Sequence, residues 1–203
     1  NIMLKISEMS GKLSGVQAIN TNTLENEFCK KQHKVKKSIC SDCYSFQMLE
    51  TFRANCAPAW QRNSELLSTG LIPPEYLPTI NAHTFRLHGH GELINAVHYL
   101  NFIRIARKNP ACTFTLWTKR KNIIAAAARS IDPAAHRPIN LILMYSNPAT
   151  DRVMAVPPKY FDKVFNVTER KNQKDNCTGR KCIDCRQCYS LNSGVNSIIE
   201  LLK

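Results

Sequence analysis

Long apolar runs are missing. Nowhere do about 18 apolar residues follow one another, so no membrane-spanning helix and no membrane partner is expected. No signal-peptide pattern is visible. No internal repeat of about 20–50 residues and no low-complexity tract occurs, which excludes solenoids and propellers. P-loop, zinc-protease and Ser-His-Asp patterns are absent too. Acidic residues are scarce: 15 Asp and Glu face 28 Lys and Arg, for a net charge of +13. That balance points to polyanions such as nucleic acid, or to cations that compensate buried negative charge.

The chain has 203 residues, of which 43% are hydrophobic and 21% charged. That is ordinary for a globular protein, and long enough to fold without staples. One domain over residues 1–203 is expected.

Cysteine is abundant, with nine residues. The odd count argues against a closed disulfide framework. Without a signal peptide it points to a reducing, cytoplasmic compartment, where clustered cysteines hold metal more often than they form disulfides. Seven fall into two groups. Cys29, Cys40 and Cys43 lie in loop 29–44 with spacing C-x10-C-x2-C. Cys177, Cys182, Cys185 and Cys188 lie in loop 176–190 with spacing C-x4-C-x2-C-x2-C. Four thiolates complete a tetrahedral zinc site or a 4Fe–4S cluster. The C-x2-C-x2-C step is closer to ferredoxin-type ligation than to zinc sites, which separate two C-x2-C pairs by a longer loop. The first group is one thiolate short, so His33 or an exogenous ligand completes it, and an open iron would bind a small molecule or substrate. The alternatives are two 4Fe–4S clusters, one cluster shared by both groups, or zinc. Cys56 and Cys112 sit on apolar patterns and read as core residues.

Alternating patterns set the fold class. Strands are expected at 2–6, 83–89, 112–118, 139–145 and 163–169. Helices are expected at 45–68, 93–108 and 120–130, with a short closing helix at 195–202. On the first helix Leu49, Phe52, Cys56, Trp60 and Leu67 share one face. The order predicts an α/β fold: a partial (βα) barrel of about five mostly parallel strands covered by helices, with both Cys-rich loops on the carboxyl-terminal rim. The loops after the strands carry candidate ligand or acid–base groups: His88, His90 and Glu92 in RLHGHGE, Lys119 and Arg120 in WTKRK, and Glu169 and Arg170 in TERKN. His88 is expected to share a strand face with Arg86. Lys30, Lys31, Lys34, Lys36 and Lys37 form a basic run able to track a phosphate backbone, or a solvated loop.

Two resemblances rest on these residues. SDCYS after an earlier cysteine, then RLHGHGELIN, FTLWTKR and CIDCRQCYS, in that order over most of the chain, resemble the phage "gene product eighty-eight" family. That likeness implies a viral iron–sulfur protein working in the host cytoplasm. The architecture also resembles radical S-adenosylmethionine enzymes, partial βα barrels with a three-cysteine cluster after the first strand. There GHGE at 89–92 stands where a turn contacts the amino group of S-adenosylmethionine. The ten-residue gap between Cys29 and Cys40 departs from the three-residue gap of those enzymes. Together the likenesses imply redox or small-molecule chemistry at an open cluster supplied by an electron donor. The competing expectation is a nucleic-acid- or host-protein-binding module with a structural cluster.

Overall fold

Seven strands cross one sheet in the order in which the chain makes them. They are β1 (Ile6–Glu8), β2 (Gln17–Ile19), β3 (Thr84–Leu87), β4 (Thr113–Thr118), β5 (Leu141–Ser146), β6 (Lys163–Thr168) and β7 (Ser197–Leu201). β1 pairs antiparallel with β2, and every later neighbour is parallel. The sheet does not close into a barrel; β1 and β7 are its edges. The helices are α1 (Glu27–His33), α2 (Tyr44–Glu50), α3 (Ala57–Thr69), α4 (Ala96–Lys108), α5 (Lys121–Ala128) and α6 (Cys182–Cys185). This computed structural model describes residues 3–170, 174–177 and 179–202. Among them no helix is long and apolar enough to cross a membrane.

Alternation along the strands builds two unequal cores. Phe85, Leu87, Phe114, Leu116, Leu141 and Leu143 point to one face, where they pack with Leu67 of α3, Phe102 and Ile105 of α4, and Ile123 and Ile124 of α5. The intervening residues point the other way. There Trp117 and Met144 pack with Val16, Tyr189 and Ile198, against Cys177, Cys182, Ile183 and Cys188. The segment between β6 and β7 therefore lies on the second face. Thr115 Oγ1 donates to the Cys188 carbonyl at 3.1 Å. Lys163, with no exposed surface, donates from Nζ to Ser193 Oγ at 2.9 Å and to the Val195 carbonyl. With both faces covered, β5 reads as the continuous apolar LILMY.

Four expectations need correction. The first strand lies at Ile6–Glu8 rather than 2–6, whose Ile2 is outside the described residues, and β2 was not expected. Three-residue strands carry too little alternation to stand out. The expected helix 45–68 is two helices: α2 ends at Glu50, and α3 begins again around Pro58, which has no N–H to continue a helix from the preceding turn. In the break Phe52 is 72% exposed and Cys56 half-buried, so neither joins the core face with Leu49, Trp60 and Leu67. The closing helix is strand β7, whose β-branched SIIEL pairs with β6 from Ser197 opposite Val164 to Leu201 opposite Thr168. The sheet has seven strands where about five were expected. Cys112 is buried as expected.

Candidate functional site

A cavity of about 520 Å³ runs over the second face of the sheet, from Arg86, Trp117 and Phe165 to the loops beyond β3 and β4. Six of the seven grouped cysteines line it: Cys29, Cys40, Cys43, Cys177, Cys182 and Cys188. All six are half-buried and unpaired. Groups some 140 residues apart in sequence thus face one space. The quartet reaches it across the sheet face rather than from the rim, because Tyr189 and Cys188 pack beside Trp117. Cys185, also half-buried, does not line the cavity.

Local devices hold the trio. Asn26 caps α1 by accepting from the backbone N–H of Phe28 and Cys29 at 3.0 and 3.2 Å, which fixes Cys29 on the first turn. Cys43 is the N-cap of α2. The loop between them is fastened to the loop after β5, where Ile39 N–H donates to the Pro148 carbonyl at 2.9 Å. His33 does not reach the cavity; its ring stacks on Phe46 at 4.3 Å and its Nδ1 meets the Cys40 carbonyl at 2.8 Å.

Each group has its own cation. Burial pushes the Cys29 and Cys40 thiols up, and the Lys119 ammonium opposes that rise in both. For Lys119 burial works downward, yet the trio and Glu92 outweigh it and its pKa is raised. Its Nζ donates to Ser146 Oγ at 3.1 Å. In the quartet, burial raises Cys177, Cys182 and Cys188, the last to about 12. Lys12 opposes the rise at Cys177, and Arg86 opposes it at Cys182 and Cys188. Lys12 Nζ lies 3.8 Å from Cys177 Sγ and pairs with Glu200. Arg86 stacks over Trp117 with Cζ 3.9 Å from the ring centroid. Among the described residues no three His, Cys, Asp or Glu side chains converge as a single metal ion would require.

The turn after β3 is rigid. His88 has φ of 65°, so the strand ends before it and it does not share a face with Arg86; its carbonyl accepts from Arg86 Nε at 3.1 Å. Gly91, at φ of 97°, backs onto Thr21, whose Oγ1 would lie 1.9 Å from an added Cβ. Glu92 acts as a bracket: its carboxylate accepts from Leu93 N–H at 2.8 Å, from the Thr118 hydroxyl and from Lys119 N–H at 2.8 Å. His98 Nδ1 accepts from Ile94 N–H at 3.3 Å, so its Nε2 carries the proton toward His88 Nε2 at 3.3 Å. His88 in turn presents Nδ1–H to the Trp117 carbonyl at 3.4 Å. Both rings are neutral, and burial takes His88 to about 3 and His98 well below its ordinary value. His90 stacks on Trp60 at 4.5 Å, bonds Ser45 Oγ at 2.9 Å, and is lowered by burial to about 3.

His88, His90, Glu92 and Lys119 therefore line the cavity with the cysteines. Glu169 does not; it is exposed, and its backbone N–H donates to Asp151 Oδ1 at 2.8 Å. Lys171 and Asn172 of the same loop lie outside the described residues. Lys31, Lys34, Lys36 and Lys37 are exposed outside the cavity, and Lys30 pairs with Glu25 and Glu27. Sequence reasoning missed Lys12, a single cation in SGKLSG that nothing marks without β2. It also missed the buried Asn20–Thr23, whose Asn20 Oδ1 accepts from His90 N–H at 2.9 Å. No family model, curated protein or solved structure matches the chain.

Proposed function

We propose that this chain is an iron–sulfur protein with two thiolate-held centres in one cavity, the trio's centre keeping an open position for a small molecule. The observation that carries this reading is that six of the seven grouped cysteines line that cavity, unpaired. The donor set suits the group: thiols half-withdrawn from water, with a cation beside each set to offset thiolate charge. A zinc ion needs four ligands about 2.3 Å from one point. A cluster is wider and takes its thiolates from farther apart, which suits cysteines spread around the wall of one cavity. Two centres are favoured over one shared centre because the trio's charge partners are Lys119 and Glu92, whereas the quartet's are Lys12, Arg86 and Glu200.

When bound, such clusters supply one-electron transfer, and an iron without a fourth protein ligand supplies a coordination position. The chain's own residues do the rest. Lys119, Lys12 and Arg86 hold positive charge against the thiolates. His88 and His90 stay neutral at pH 7 and shape the wall. The cavity falls in the range of small-molecule sites, about 300–1,000 Å³. S-adenosylmethionine is not part of the proposed function: the first cysteine gap is ten residues, and three donors of the chain already hold Glu92. A partial barrel is the proposed relative of this sheet. Strands in chain order with crossovers of one hand put successive helices on one face, and α3 packs on α4 and α4 on α5.

The test is metal and sulfide analysis, with an absorption spectrum, of protein purified or reconstituted without oxygen. Two 4Fe–4S centres give about eight irons per chain and a brown solution whose spectrum a small open-site ligand such as cyanide perturbs. A colourless chain carrying stoichiometric zinc refutes the proposal. A second reading, polyanion binding, rests on Lys31, Lys34, Lys36 and Lys37, which are exposed and outside every ion pair among the described residues.

A further inference from the structure

Cys185 is the one member of the two groups that does not line the cavity. The segment that carries it is one-sided in its exposed charge. Lys174, Arg180, Lys181 and Arg186 are exposed, against Asp184 as the one exposed carboxylate of the described residues 174–188. None of the four cations is in an ion pair among the described residues. Arg180 Nη2 stands 3.8 Å from Cys185 Sγ. Arg186 sits at φ of 54°, a left-handed position closing α6, and its Nε donates to the Ile183 carbonyl at 3.0 Å, which fixes its side chain at the edge of the knot.

We infer that this basic rim around Cys185 is the docking surface for an acidic one-electron carrier protein, and that electrons enter the site through the quartet's outer edge. The inference rests on the iron–sulfur reading above. Lys12 and Arg86 already serve the cavity side of the quartet, so the outer cations are surplus to compensating its thiolates inside. Exposed like charges outside any ion pair among the described residues suit transient recognition of an oppositely charged surface, where steering sets the association rate more than affinity. Encounters of this kind bury little area and need no apolar groove. The step is simple: the reduced carrier gives up one electron, the quartet's centre takes it, and no bond or proton changes place. From there the trio's centre lies across the same cavity.

The test uses the iron-loaded chain and two reductants, a reduced flavodoxin of measured negative net charge and reduced methyl viologen, which is small and cationic. Cluster bleaching is followed by stopped flow. The Lys174→Glu/Lys181→Glu variant, with iron content equal to the parent, is expected to slow reduction by flavodoxin at least about tenfold at low salt. Reduction by methyl viologen should not slow. In the parent chain the flavodoxin rate should fall steeply with added salt. Equal flavodoxin rates in parent and variant, or a rate indifferent to salt, overturn the docking surface while leaving the iron–sulfur reading intact. A chain that holds no iron or sulfide overturns both, and its spectrum reveals this before any carrier is added.

Discussion

Mild acid should unfold this protein, because three histidines are buried without charge. His88 and His90 are each 3% exposed and His98 has no exposed surface. In the unfolded chain each ionises near pH 6.5. In the folded chain burial holds His88 and His90 at about 3 and His98 well below its ordinary value. A depressed folded pKa means that the unfolded state binds more protons below pH 6.5. The stability is therefore whole above pH 6.5 and is lost as pH falls toward 3. At pH 5 His88 and His90 each contribute a loss of about 2 kcal/mol, together about 4 kcal/mol, and His98 adds to it in the same direction. That is a large share of the stability of a typical domain, about 5–15 kcal/mol. Urea unfolding followed by far-ultraviolet circular dichroism, under reducing and oxygen-free conditions, reads the effect directly. With a slope of about 2 kcal/mol per molar urea, the midpoint should drop by about 2 M or more between pH 7.5 and pH 5. His98→Gln should reduce that pH dependence. A midpoint unchanged between pH 7.5 and pH 5 would refute neutral burial of these rings.

Cys40→Ser and Cys182→Ser separate two centres from one: each should lose about half of the iron if the centres are distinct, whereas loss of nearly all iron in both would mean a shared cluster. Gly91→Ala should destabilise the fold by about 3 kcal/mol or more, since it forces a side chain into φ of 97° against Thr21 Oγ1; an unchanged melting temperature would contradict that packing. If the run at residues 30–37 binds nucleic acid, a plot of log affinity against log salt should have a slope of about −3 to −4, and reversing Lys34 and Lys36 to Glu should flatten it; a flat slope in the parent chain removes that reading. Asn101→Leu strands the carbonyls of Leu67 and Gly70 and the N–H of Ile72, at a cost of about 3 kcal/mol measurable by urea unfolding.

The parts of the fold that were legible are those whose pattern is long or whose end is marked. β4, β5 and β6 carry apolar and β-branched runs of six residues, and α4 has Asn95 as its N-cap, accepting from His98 N–H at 3.0 Å, with Pro110 beyond its end. β2 has three residues and no such signal, and with it went the polar Asn20–Thr23 wall. Pro58 was readable as a break but was masked by the apolar spacing of Leu49, Trp60 and Leu67 on either side. At the site, strand order put both cysteine groups on one rim. They do face one cavity, but the quartet reaches it over the sheet face, which depends on Trp117, Met144 and Tyr189 finding one another. Glu92 looked like a ligand because its role as a bracket depends on the backbone of β4, which one sequence does not display.

The quartet's place has a topological consequence. The helices α4 and α5 join β3 to β4 and β4 to β5 on one face, whereas the segment bearing the quartet joins β6 to β7 over the other. That segment also reaches the free edge of β7, where the Asn176 and Cys177 N–H groups both donate to the Ile199 carbonyl and Asn176 Oδ1 accepts from Ile199 N–H. Lys163, Thr115 and the small apolar cluster under Tyr189 fasten the rest of it to the sheet. An edge strand held from its outer side by the loop that precedes it offers fewer free backbone groups to another chain, so the quartet's loop doubles as the guard of β7.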